Sequence, residues 1–505
     1  MSKVSSVVEL GPAPTEVADS PRSLTNAGPT SHDDQKGSPT TGEVAIELQE
    51  WETLEAKPFN WSLGRKSWHV IMVGLMCWLV TFGTSVYTPG AVEIAREFSA
   101  SRQAVTLGLS LYSLGLGAGP CIGAPLSETF GRWVVFVVSV PAAALFTLGA
   151  GFSKSLGSLL VCRFFAGLMG GPPLSIGGGV LADLFPAQKR AIAGSIFIAA
   201  PFLGPCTGPI IGGFVAQYEG WRWTQWVALL AVLPIIAGIF TMRETYHKLL
   251  VRRREEALGL LPSIPSPKLR VLLTVVLVRP LHMIFFEPIV ACLGIYTSFI
   301  FGVLYIFFAA FPIIFQGIYG FTISQLGLSF TGTGVGVLIA VGTNILIDRM
   351  IYQKQVRRSW ERGDRGVVAP EHRLYSAMFG SFTIPIALFW FGWSARGDMH
   401  WISPIIATVP FAWGNLSIFH AAALYSTDVY GAVNGASALA ANGMMRYIIS
   451  AAFPLFAVQL YNSLGIGWAS SLLGLVSVAF VPLPFILFRW GPKIRQNSHY
   501  ETIKA

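Results

Sequence analysis

Charged residues inside apolar sequence are the first places where this chain could do chemistry. Arg163 follows Ser158-Leu159-Leu160-Val161-Cys162 and precedes Phe164-Phe165-Ala166-Gly167. A guanidinium in such a run faces a bundle interior or a wet cavity, or else snorkels to a nearby interface. Arg163 begins about one turn into its run, which leaves both readings open. A role in proton transfer or cargo binding is the sharper one. His420 is a second ionisable group at depth, able to titrate near neutrality or to bond a neighbouring helix. Arg446 is a third. No acid accompanies them: each of the 26 acidic residues falls in a tail, a loop or at the end of an apolar run.

The carboxylates at those ends form a second set. Glu128 and Arg132 stand four apart in the tight turn Leu126-Ser127-Glu128-Thr129-Phe130-Gly131-Arg132. There they can pair across the turn and lock a helix end in one conformational state. Asp348-Arg349 occupies the equivalent place after a later run, with basic residues behind it. Asp183 and Asp428 close two further runs, placed to partner the loop arginines or simply to sit at the interface. These six are the candidate gate residues. Their alternative is ordinary loop charge.

The elements that position them are membrane spans. The 505 residues are 53% hydrophobic and 12% charged, with mean hydropathy +0.57. That composition describes a polytopic membrane protein. Apolar runs recur at about 68–90, 105–125, 133–152, 159–182, 191–215 and 224–242, then at 288–311, 323–346, 374–393, 402–425, 435–459 and 470–488. Each is near the roughly 20 residues that cross a bilayer as a helix. With both termini cytoplasmic, the inner loops and flanks from Lys57 onward hold 25 Lys and Arg and the outer loops five. The asymmetry fixes the orientation, and it explains the net charge of +9 without a nucleic-acid partner.

One run carries its own signature. Gly204–Gly213 reads Gly-Pro-Cys-Thr-Gly-Pro-Ile-Ile-Gly-Gly. Gly204, Gly208 and Gly212 fall four apart on one helix face, so a neighbouring backbone can approach closely. Pro205 and Pro209 each cancel an intrahelical hydrogen bond. Gly204-x-x-x-Gly208-Pro209-x-x-Gly212-Gly213 resembles the antiporter motif of the fifth helix in the major facilitator superfamily, associated with drug:proton exporters. Arg163 resembles that family's fourth-helix Arg-x-x-x-Gly, which is linked to proton transfer and substrate. The turn to Arg132 resembles its loop motif Gly-x-x-x-Asp-Arg-x-Gly-Arg-Arg in part, with Ala124, Glu128, Thr129 and Trp133 as departures. The Pro-Leu-Ser-Glu-x-x-Gly-Arg version is similar to fungal drug and polyamine exporters, and the resemblance covers about 57–490.

The resemblance implies an all-α membrane protein of the major facilitator fold, twelve transmembrane helices in two six-helix halves. The expected divisions are a disordered cytoplasmic tail at 1–56, an N-terminal half at 57–243, a cytoplasmic linker at 244–287, a C-terminal half at 288–490 and a tail at 491–505. It implies a cavity drawn from helices one, four, seven and ten, where Tyr87, Tyr305, Asn415 and Phe419 are the candidates, with Arg163. Aromatic residues at helical spacing also serve packing. The implied activity is export of lipophilic small molecules by proton antiport with alternating access, Arg163 and His420 being the proton-coupling candidates. Its partners are the cargo, protons and the bilayer, in a monomer at the plasma membrane or an internal membrane such as the vacuole's. A polyamine exporter, a facilitative uptake carrier and a non-transporting sensor are the alternatives. No metal spacing, nucleophile elbow or phosphate-binding loop points to an enzyme or a cofactor.

Overall fold

The computed structural model describes residues 57–185, 190–257, 278–363 and 368–502, apart from the side chains of 190–192, 432 and 433. The tail at 1–56 and the extended stretch Leu261 to Lys268 lie outside the described residues. Among the described residues, eleven helices are long and apolar enough to cross a membrane. The last, Asn434–Gln496, has 63 residues, about 95 Å of helix at 1.5 Å per residue. That is far more than one crossing of a ~30 Å hydrocarbon core. The chain leaves helical geometry at Gly465 (φ 73°, ψ 165°), a left-handed conformation that glycine adopts without a Cβ penalty. The long helix is therefore two passes, and the count is twelve.

In chain order the passes are α1 (Leu63–Ser85), α2 (Arg102–Phe130), α3 (Arg132–Gly151), α4 (Leu156–Leu184), α5 (Arg190–Tyr218) and α6 (Trp221–Phe240). The second half has α7 (Pro288–Phe311), α8 (Thr331–Ile347), α9 (Tyr375–Ser394), α10 (Ile402–Gly431), α11 (434–464) and α12 (466–496). The charged stretch Arg252 to Glu256 lies in a short helix, His247–Ala257. The last helix runs to Gln496. Arg495 holds it there through a buried ion pair with Glu371 at 3.5 Å.

Burial sorts the passes. The most apolar windows of α1 and α7 are 83% buried, those of α3 and α12 only 33%. A helix apolar on all sides and enclosed is a central one, while Leu145, Leu233 and Leu475 face outward on peripheral passes, where the bilayer covers them.

Glycine decides how closely α5 approaches the centre. A methyl group at Gly204 would collide with Thr81 Oγ1 and lie 2.6 Å from Phe82 N; at Gly208 it would collide with Ser85 Oγ. At Gly212 it would lie 2.5 Å from Val86 O. The stripe thus seats α5 backbone to backbone on the outer half of α1, and Ser85 Oγ donates to Gly204 O at 3.2 Å. The α5 helix continues through Pro201, Pro205 and Pro209. Gly213 looks the other way: a Cβ there would lie 2.8 Å from Ile323 O and 3.2 Å from Gly327 Cα, at the outer entry to α8. One short segment binds both halves.

Candidate functional site

Arg163 is built into the first half from three helices. It is 2% exposed. Nη1 donates to Gly83 O at 2.8 Å, Nη2 to Thr84 O at 3.0 Å and Nε to Gly108 O at 3.2 Å. The guanidinium lies 4.4 Å from the centre of the Tyr87 ring and 4.5 Å from that of Tyr112. Backbone carbonyls at the end of α1 and two aromatic faces offset its charge, where a carboxylate would be the commoner partner. It does not snorkel. A cavity of about 10 Å³ adjoins it, lined by Gly83, Tyr112, Gln225 and Ala166 among others, about room for one water. Tyr87 is 1% exposed and its hydroxyl donates to Val105 O at 2.9 Å, so it belongs to the Arg163 support and not to an open pocket wall.

The second cluster lies where the halves meet. Phe202 of α5 packs its ring 5.2 Å from that of Phe419 and 5.9 Å from that of Phe301. Arg446 of α11 lies against Phe301, Phe419 and Tyr447. Tyr305 is fully buried between Arg163 and Arg446, within electrostatic reach of both. Counting residues from the cytoplasmic ends of α5, α7, α10 and α11 puts Phe202, Phe301, Phe419 and Arg446 all about 18–20 Å deep, near mid-membrane. Asn415 is 2% exposed and its amide donates to Ile300 O at 3.4 Å, tying α10 to α7. His420 is buried in α10, with no carboxylate bonded to it among the described residues. Of the expected cargo residues, Tyr305 and Phe419 come together and Tyr87 joins Arg163. Phe202, Phe301, Tyr112 and Tyr447 were missed, since apolar and aromatic positions abound in every span.

At the cytoplasmic face Arg132 and Arg373 pair with Asp183 and Asp428, the placement offered for those aspartates, and not with Glu128. Glu128 and Arg132 do not pair. Arg132 Nε donates to Asp183 Oδ2 at 2.7 Å, crossing from α3 to the end of α4, and the guanidinium lies 5.0 Å from the centre of the Tyr246 ring. Glu128 is exposed. Gly131 at φ 104° redirects the chain at the turn, and Arg132 reaches across Gly179, whose missing Cβ leaves space for the guanidinium. Glu244, which the sequence did not single out, accepts from Arg132 N at 3.0 Å and Trp133 N at 3.1 Å. It is the N-terminal cap of α3. Burial pushes the neighbouring Tyr246 hydroxyl up to about 12, Glu128 adding to the shift and Arg132 opposing it.

The second half repeats the device with Arg373 instead of Arg349. Arg373 Nε donates to Asp428 Oδ2 at 2.8 Å and Nη1 to Asp348 Oδ1 at 3.3 Å, with the guanidinium 3.5 Å from the centre of the Tyr352 ring. Arg349 is exposed. An arginine at the start of α3 or α9 thus grips an aspartate at the end of α4 or α10. Glu287, 1% exposed, accepts from Tyr430 Oη, Ser498 Oγ and His499 N, each at 2.8 Å.

With this geometry in place, the chain can be compared with known proteins. The family model described as Major Facilitator Superfamily matches residues 73–445. "Polyamine transporter 4" of Saccharomyces cerevisiae is 36% identical over 472 residues, 88% of this chain and 71% of that protein. "Efflux pump FUBT" of Fusarium oxysporum is 40% identical over 457 residues, 87% of this chain and 75% of that protein. "Major facilitator superfamily multidrug transporter mdrA" of Aspergillus fumigatus is 39% identical over 478 residues, 92% and 77% of the two chains. Among solved structures, the proton:xylose symporter XylE matches with TM-score 0.60 at 14% identity, over 85% of this chain and 96% of that one. That likeness concerns the fold alone. The chain is a multi-pass membrane transporter of small molecules and belongs to the major facilitator superfamily.

Proposed function

We propose that this transporter exports lipophilic small molecules, drugs, toxins or secondary metabolites, from the cytoplasm by alternating access, with protons moving inward in exchange. The observation that carries the reading is the seat of α5. Its exporter-type stretch Gly204–Gly213 meets α1 backbone to backbone on one side and Gly327 on the other. A seam made of backbone contacts can part or close as a rigid unit, which alternating access asks of it. The name of the relative "Efflux pump FUBT" supports the direction. The mid-membrane cluster of Phe202, Phe301, Tyr305, Phe419 and Tyr447 suits an apolar, aromatic cargo.

The polyamine reading has one specific support, the likeness to "Polyamine transporter 4". Against it, a polycation would find Arg163 and Arg446 at the centre and, among the described residues, no carboxylate bonded to either. In the same reading, Arg132–Asp183 and Arg373–Asp428 act as cytoplasmic gates, and Arg163 or His420 takes part in proton coupling. The division into halves at 57–243 and 288–490 about the linker 244–287, the monomeric state and the plasma membrane as site of action belong to it too. Everted vesicles loaded against a lipophilic dye, with and without an imposed proton gradient, test it. Gradient-dependent accumulation is expected; accumulation unaffected by collapsing the gradient would point to a facilitative carrier.

A further inference from the structure

Two guanidiniums lie at mid-membrane depth, buried Arg163 and half-buried Arg446, and among the described residues neither has a carboxylate bonded to it. Arg163 is saturated by carbonyls. Arg446 is not. Its guanidinium carbon sits 4.8 Å from the ring centre of Phe301, 4.4 Å from that of Phe419 and 5.0 Å from that of Tyr447. These rings steady the cation from its faces, and the Tyr447 hydroxyl accepts from its outer nitrogens, but Nε is left out. Nε is buried without a hydrogen-bond partner. A buried donor on a charged group is costly to leave unmatched, and arginine's planar fork is shaped for an oxyanion.

The surroundings add further unmatched groups. Tyr305 Oη lies beside Ser113 and Thr84 of the first half. It has no hydrogen bond of good geometry, and neither has Ser113 Oγ. Arg446 Nε–H and the hydroxyls of Tyr305 and Ser113 therefore stand near one another at the seam between the halves, with no anion beside them among the described residues. Around them stand Phe202, Phe301 and Phe419. A cationic cargo would be repelled here, and a neutral one could accept from the donors without offsetting the guanidinium's charge. An apolar body carrying one negative charge satisfies both the rings and the donors.

We propose that the cargo site selects lipophilic organic anions, with Arg446 as the residue that binds the anionic group, Tyr305 as a second donor, and Phe202, Phe301 and Phe419 holding the apolar body. This deepens the export reading, on which it rests for the fate of the bound molecule. The competing account is that Arg446 only packs α11 against α7 and α10 through its rings. That account makes no distinction between charges on the cargo.

The test uses purified full-length protein and three probes with one body: labelled 2-naphthoate, competed by 2-naphthamide and by 2-naphthyltrimethylammonium. Naphthoate should bind, and the amide and the ammonium should compete about tenfold less well or worse, the scale of one charge-assisted hydrogen bond. Arg446→Gln should erase the preference by weakening naphthoate alone, leaving the amide within about twofold, and Arg446→Lys should restore part of it. Retained amide binding shows that the variants are folded. No naphthoate binding, an ammonium bound as well as the anion, or an equal loss of all three in Arg446→Gln overturns the proposal. Export is read separately in everted vesicles. Anion preference without transport would sink the export reading and leave the site standing; transport of neutral or cationic dyes without anion preference would do the reverse.

Discussion

The guanidinium of Arg132 holds the carboxylate of Asp183 at 2.7 Å, joining the start of α3 to the cytoplasmic end of α4. Both side chains are mostly shielded, 12% and 14% exposed, so this pair escapes much of the screening that weakens surface ion pairs. Asp183→Asn and Arg132→Ala should each slow transport in everted vesicles, and the double variant should be little worse than either, as coupled partners are. Glu128→Gln should turn over within about twofold of the parent, as exposed substitutions usually do. A Glu128→Gln defect as deep as that of Asp183→Asn would return the gate to the loop carboxylate.

Gly208 leaves no space for a side chain between α5 and Ser85 of α1. Gly208→Leu should abolish efflux while some protein still reaches the membrane, because leucine must wedge two touching backbones apart. Gly342→Leu is the matched control, since nothing lies within 4 Å of a Cβ there. Normal efflux by a well-expressed Gly208→Leu variant would remove the glycine seam from the mechanism.

Arg163 bonds carbonyls on α1 and α2 from one planar head. Arg163→Lys should not rescue what Arg163→Ala loses, because an ammonium cannot span the three acceptors or stack on Tyr87 and Tyr112. Each charged hydrogen bond forfeited is worth roughly 1.5–3 kcal/mol, so the lysine variant should also melt earlier in detergent. Parental melting and transport in Arg163→Lys would mean that charge alone suffices.

Glu244 caps α3 by accepting from the amides of Arg132 and Trp133, and from those of Thr245 and Tyr246. Glu244→Ala should lower stability by about 1–2 kcal/mol, the range of a lost cap. Glu244→Gln should retain part of it, since the amide oxygen still accepts. Thermal melting of the three proteins decides it, and unchanged melting in Glu244→Ala would show that water replaces the cap.

The sequence by itself determined the twelve passes, their orientation and the seam helix. Those properties follow from local quantities: run length against bilayer thickness, the side on which Lys and Arg collect, and a four-residue glycine period that only close helix packing uses. Arg163 was legible for the same reason, as a charge where lipid would otherwise be. Partner choice was not legible, because it depends on helices far apart in the chain. Only the tertiary structure decided that Arg132 takes Asp183 and Glu244 rather than Glu128, and that Arg373, an inconspicuous residue in a basic loop, takes Asp428 and Asp348 where Arg349 was expected. It also decided which aromatic rings face the seam. Phe202, Phe301 and Phe419 are indistinguishable in sequence from dozens of lipid-facing or packing residues, and they meet because α5, α7 and α10 bring them to one depth beside Arg446. A helix period states which residues share a face; the neighbour that face meets is set by packing across hundreds of residues.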